Sequence, residues 1–146
     1  MKRAARAEPD VRVAALVKTP LRPAGVARLA RAVVAAERAE LVALSVTFVG
    51  PARMRLMNRT HLGHDEITDV IAFSMMGAGD VYICPSVAGA NAKAHGATLK
   101  DELRRLVVHG TLHVLGHDHP AGTGRLTSPM WRLQERYLKR FGTLAS

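Results

Sequence analysis

One cysteine, Cys84, is all that the 146-residue chain contains, so no internal disulfide can brace it. A domain of this size without bridges fits a reducing compartment, and the expected location is the cytoplasm. No run of about 18 apolar residues occurs, so no membrane-spanning helix is expected. The opening stretch MKRAARAEPD is basic but leads into no apolar segment or small-residue cleavage site, so export is not expected either. Internal repeats and low-complexity linkers are also missing. Acidic side chains are scarce: 12 Asp and Glu against 21 Lys and Arg leave a net charge of +9 and a pI near 10.8. That imbalance attracts polyanions at long range and makes nucleic acid the default partner class. On charge alone, the codon use of a GC-rich genome explains the arginines about as well.

What the chain does have is apolar mass. With 48% hydrophobic residues it can close one core, so residues 1–146 read as a single domain whose first ten residues form a flexible basic N-terminus. VRVAALVKT, from Val11 to Thr19, has strand composition and is closed by Pro20 and Pro23. From Pro23 to Glu40, Val26, Leu29, Ala30, Val33 and Val34 recur at helical spacing with arginines opposite, which predicts an amphipathic helix. LVALSVTFVG returns to strand composition, and Pro51 opens the helix PARMRLMNRTHL where proline suits a first turn. TDVIAFSM and GDVYIC read as two short strands joined by a Gly-containing connection. SVAGANAKAHG, LKDELRRLVVHGTLHVLG and LTSPMWRLQERYLKRFG read as helices, the last beginning near Ser128 and Pro129. About four strands and five helices sharing one core make an α+β domain.

The stretch HGTLHVLGHDHP, from His109 to Pro120, holds four histidines in twelve residues. His109 and His113 lie four apart on a buried helix marked by Leu103, Leu106, Val107 and Leu112, so their imidazoles project from one face. Gly116 can end that helix in the left-handed conformation and turn the chain back, which brings His119 round as a third ligand. The spacing H-x3-H-x2-G-x2-H has the geometry of the metzincin signature. Three protein ligands leave a coordination position open, which marks a catalytic rather than a structural metal. His117 is two residues from His119, and the spacing selects His119 over it. Asp118 reads either as a carboxylate holding an imidazole tautomer or as a solvated turn residue. His61, His64 and His95, each alone, read as ordinary histidines.

The residue after His109 decides the chemistry. Zinc peptidases of this spacing place a glutamate general base there, whereas this chain has Gly110. A phosphodiester does not need that base in the same way, because zinc lowers the pKa of bound water to about 7 and neutralises charge on a phosphoryl oxygen. A basic protein with this site therefore favours nucleic-acid cleavage over proteolysis.

HGTLHVLGHDH resembles the H-G-x-L-H-L-x-G-x-D-H signature of the YbeY endoribonucleases, differing at Val114, where that family usually has leucine. Upstream, MNRTHLGHDEITDVIAFS is similar to the family's L-N-x-x-Y-R-G-x-D-x-x-T-D-V-L-S-F segment through Asn58, Gly63, Asp65, Thr68, Asp69, Val70 and Phe73. GDVYIC resembles its G-D-I-x-I-S strand and MWRLQERYLKRFG its closing helix, so the likeness runs from about Leu41 to Gly142. The resemblance implies one α+β domain with a small mixed sheet, a zinc ion on the three histidines, and single-strand-specific RNA cleavage. It also implies roles in ribosomal RNA maturation at the small-subunit 3′ end and in ribosome quality control, with ribosomal RNA and the small subunit as partners. No membrane partner is expected, and the sequence leaves the oligomeric state open, with a monomer as the expectation.

One departure stands out. The family commonly has an arginine before the glycine, suited to a scissile phosphate; this chain has Leu62, with His61 in place of the usual aromatic. Arg59, three residues earlier and so on nearly the same helical face, is the candidate catalytic substitute. Asp69 is read as a structural carboxylate bonding backbone amides at its strand's start. Two further functional classes stay open at this level. One is a metallopeptidase with a displaced base; the other is an RNA-binding assembly factor with a structural metal.

Overall fold

A computed structural model gives the architecture and describes residues 8–63, 65, 67–120 and 122–146. His64 and residues 1–7, most of the expected flexible N-terminus, lie outside the described residues. The elements run β1 (Asp10–Ala15), α1 (Pro23–Ala36), β2 (Ala43–Phe48), α2 (Pro51–Leu62), β3 (Val70–Met75), β4 (Ala78–Ile83), α3 (Pro85–Ala94), α4 (Leu99–Val114) and α5 (Pro129–Phe141). Short 3₁₀ segments follow α4 at Gly122–Thr127 and α5 at Gly142–Leu144.

Proline sets four of the helix starts. Pro23, Pro51, Pro85 and Pro129 each sit in a first turn, where a missing N–H costs nothing and a fixed φ is already helical. α4 instead begins at Thr98, whose hydroxyl accepts the Asp101 N–H at 3.1 Å, with Asp101 and Glu102 at the positive end of the helix dipole.

The sheet has the order β1-β2-β4-β3, with β1, β2 and β4 mutually parallel and β3 antiparallel to β4, so it is mixed. β3 and β4 join through Met76 and Gly77 at φ +50° and +82°, the paired left-handed conformations of a tight hairpin turn. β1 differs from expectation at both ends. Asp10 already pairs with Ala43 and belongs to the sheet rather than to a tail. The strand stops at Ala15, opposite Phe48, because β2 ends there to let Gly50 and Pro51 start α2, leaving little for Val17–Thr19 to pair with.

α4 is the central helix, packed against β3, β4, α1, α3 and α5. Its Leu103, Leu106, Val107 and Leu112 are buried, as is the α1 stripe Val26, Leu29, Ala30, Val33 and Val34. Two glycine–valine pairs let α4 lie close to β4. A Cβ on Gly110 would stand 2.4 Å from a methyl of Val81, and one on Gly79 would stand 2.2 Å from a methyl of Val114. The missing side chains thus seat the helix that carries His109 and His113 against the sheet.

Candidate metal centre

His109 and His113 leave α4 one turn apart. The helix then closes through Leu115 and Gly116, the latter at φ +100°. The Gly116 N–H bonds the His113 carbonyl and the His117 N–H bonds the Leu112 carbonyl, each at 3.0 Å, which are the two hydrogen bonds of a Schellman closure. The reversal carries His119 back over the helix end. Ring centroids are 4.6 Å apart for His109 and His113, and 5.1 Å from His119 to each. One candidate ligand nitrogen from each of the three lies within 4.8 Å of the other two. A common point no more than about 2.8 Å from all three therefore exists, and small ring rotations shorten that to the 2.0–2.1 Å of a zinc–imidazole bond.

Each ring is held by a partner. His109 Nδ1 donates to Oε1 of Gln134 at 2.5 Å, His119 Nδ1 donates to the Pro120 carbonyl at 3.0 Å, and the His113 ring bonds the backbone of His117. Such bonds fix the tautomer and leave the second ring nitrogen to act as ligand. Gln134 is 1% exposed, and its amide nitrogen donates to Glu135, which Arg105 grips. Burial pushes His109 down to about 4 despite the Gln134 bond, with the charges of His113, Arg125 and His119 acting the same way. Burial also holds His113 below its ordinary 6.5. Both are thus neutral at pH 7, the form a metal requires. An all-imidazole set suits zinc, copper, iron or nickel, and three protein ligands leave room for a further one.

The neighbouring polar residues have other duties. His117 is bonded through Nε2 to Glu37, the residue that caps the end of α1, whose other oxygen accepts from the Tyr137 hydroxyl. Burial raises the Glu37 pKa, but the bonds from Tyr137 and His117 outweigh it and hold the carboxyl below 4.5. Burial and the same carboxylate push Tyr137 up to about 12. His117 therefore ties the turn to α1 and α5. Asp118 is exposed and accepts the backbone N–H of His119 at 2.8 Å, so it shapes the turn rather than gripping an imidazole. His61 sits edge-on to Phe73, and His95 bonds the Asn91 carbonyl. Among the described residues, His109, His113 and His119 form the one cluster able to hold a metal ion.

A cavity of about 290 Å³ opens beside the triad, bordered by Leu62, Thr68, Asp69 and Arg125 as well as the three histidines. A second, of about 600 Å³, shares Asp69, His109 and Arg125 with it and extends past Asn91 to Trp131. Leu62 thus faces the site, but Arg59 lines neither cavity. Its guanidinium lies 3.0 Å from Asp65, which also pairs with Arg55 at 3.1 Å, and its side chain is 57% exposed. Shared helical face was the basis for Arg59; past Gly63 the chain turns and Asp65 engages the arginine instead. The cation bordering the triad is Arg125, from the 3₁₀ segment Gly122–Thr127. Its Cζ lies 5.8 Å over the Trp131 ring, and its Nε is buried with no hydrogen-bond partner among the described residues. Leaving such a donor unsatisfied costs about 1–3 kcal/mol. Asp69 was expected to bond backbone amides; among the described residues its carboxylate accepts instead from the side chains of Thr68 and Asn91.

Gln134 and Arg125 escaped the sequence reading. Gln134 leaves a signal, since it shares the buried face of α5 with Met130 and Tyr137, and an amide on such a face calls for a partner. PAGTGRLT has no period that would single out Arg125.

The sequence model of the family described as Endoribonuclease YbeY matches residues 18–142. The chain belongs to this family. The endoribonuclease YbeY of Chlorobaculum tepidum is 33% identical over 118 residues, covering 78% of this chain and 85% of the relative. That of Geobacillus kaustophilus is 40% identical over 115 residues, covering 68% and 72%. The fold is similar to the solution structure of TM1509 from Thermotoga maritima, with a TM-score of 0.67, 25% identity, and coverage of 91% of this chain and 89% of that one. The YbeY family match runs from α1 through α5 and takes in every residue of the site.

Proposed function

We propose that this protein is a zinc-dependent endoribonuclease specific for single-stranded RNA. In this reading it works in the cytoplasm as a monomer, maturing the small-subunit ribosomal RNA 3′ end and serving ribosome quality control. The observation that carries the reading is the convergence of His109, His113 and His119, each ring fixed by a partner, beside a cavity bordered by an arginine. Membership of an endoribonuclease family and the net charge of +9 support an RNA substrate.

His109, His113 and His119 would hold the ion, with Gln134 keeping His109 in the tautomer that ligation needs. Zinc bound there supplies Lewis-acid polarisation of a phosphoryl oxygen and activation of the attacking oxygen at neutral pH. Asp69, bonded by Thr68 on the triad side and by Asn91 on the side of the larger cavity, borders both. Gly110 counts against a peptidase. A side chain there would run into Val81 of β4, so the position has no room for a glutamate base.

The test is to strip the protein with a chelator, reload it with zinc, and offer single-stranded RNA and casein side by side. RNA should be cut only by the reloaded protein and casein by neither form. Casein cleavage, or RNA cleavage indifferent to zinc, would contradict the proposal.

A further inference from the structure

We propose that Arg125 is the phosphate-binding side chain of this site, with the substrate strand running from the triad cavity, across the guanidinium, into the larger cavity toward Trp131. The inference rests on the RNA-cleaving reading above and adds to it the residue that holds the phosphate and the course of the strand.

Position comes first. Arg125, His109 and Asp69 border both cavities, so Arg125 stands at their junction beside the triad. Its hydrogen-bonding state comes second. The other arginines near the site are engaged: Arg55 and Arg59 by Asp65, and Arg105 by Glu102 and Glu135. Among the described residues the Arg125 guanidinium has no acceptor, and its Nε is shut away from water. A buried donor left without a partner calls for an acceptor, and a ligand seated against the guanidinium supplies one.

Charge narrows the choice of acceptor. Two carboxylates face these cavities, Asp69, held by Thr68 and Asn91, and Glu102, paired with Arg105. Neither forms an ion pair with Arg125, so its charge stands unneutralised beside three imidazoles. A divalent ion on those imidazoles would repel it further. An anion placed between the two relieves both, and a phosphate offers paired oxygens to the planar guanidinium fork. Trp131 beneath the guanidinium limits how it can turn. The same indole gives the larger cavity an aromatic wall on which a base can stack, and its volume of about 600 Å³ is within the usual range for ligand sites.

The experiment measures binding of inorganic phosphate and of a 2′-O-methyl RNA pentamer to zinc-loaded wild type, Arg125→Ala and Arg125→Lys, together with zinc content and RNA cleavage. Arg125→Ala should keep its zinc, bind both probes about tenfold or more weakly, and lose at least about tenfold in cleavage. Arg125→Lys keeps an aliphatic stem over Trp131 and a point charge, so it should fall between the two. It also serves should the alanine variant unfold, and lysine-variant binding equal to wild type would then count against the inference. Undiminished binding of both probes by Arg125→Ala would overturn it. Arg125-dependent phosphate binding by a protein that cuts no RNA would uphold the inference and defeat the nuclease reading. Equal RNA cleavage by zinc-loaded wild type and Arg125→Ala would do the reverse.

Discussion

The end of α2 and the 3₁₀ segment before α5 each bring an arginine to the neighbourhood of the triad, and the two are in opposite states. Arg59 is exposed and shares Asp65 with Arg55, forming a small surface cluster that water screens and that needs nothing more. Arg125 is drawn against Trp131, and its buried Nε has no hydrogen-bond partner among the described residues. A paired surface charge is content in the resting protein, whereas an unpaired, partly buried one is waiting for a ligand. The difference teaches that the state of a charged group's partners marks it as functional more surely than its spacing from a motif.

The comparison can be sharpened from the triad outward. His113→Ala should abolish zinc retention and with it RNA cleavage, while His117→Ala keeps full zinc content because His117 is committed to Glu37. Metal analysis of the two purified variants decides this, and loss of zinc from His117→Ala would mean that the wrong neighbour completes the site. One step out, Gln134→Leu should weaken zinc affinity by about 10–100-fold, since His109 loses the acceptor that fixes its tautomer. Competition with a chromophoric chelator reads that change directly.

The smallest expected effect is one of stability and pH. Glu37 titrates below 4.5 in the folded protein. Its contribution is therefore present above the unfolded value and lost as pH falls through the lower folded value. Glu37→Gln should cost about 1–2 kcal/mol at pH 7. The gap from wild type should narrow in urea titrations taken below about pH 4.5. A gap that widens on acidification would give the opposite sign and remove the Glu37 network as its source.

Much of the fold was legible because it is written locally. Pro51 marked the start of α2, and the stripe from Val26 to Val34 marked the buried face of α1. The triad was legible for the same reason, since helical period places His109 and His113 together and Gly116 supplies the one left-handed residue that turns His119 back. What stayed hidden depends on contacts distant in sequence. Gln134 meets His109 across 25 residues. Gly110 is small because Val81 of β4 presses on it, a reason distant in sequence, although its lack of a base was plain from sequence. Arg59 was chosen on helical spacing, which gives a side chain's face but not what stands across from it, and Asp65 stands there. β1 ends early because of where β2 ends.

The most direct test compares single-turnover cleavage of one single-stranded RNA by wild type, Arg59→Ala and Arg125→Ala at matched zinc loading. The account predicts that Arg59→Ala stays within about twofold of wild type while Arg125→Ala falls at least about tenfold. A large loss in Arg59→Ala with none in Arg125→Ala would contradict it.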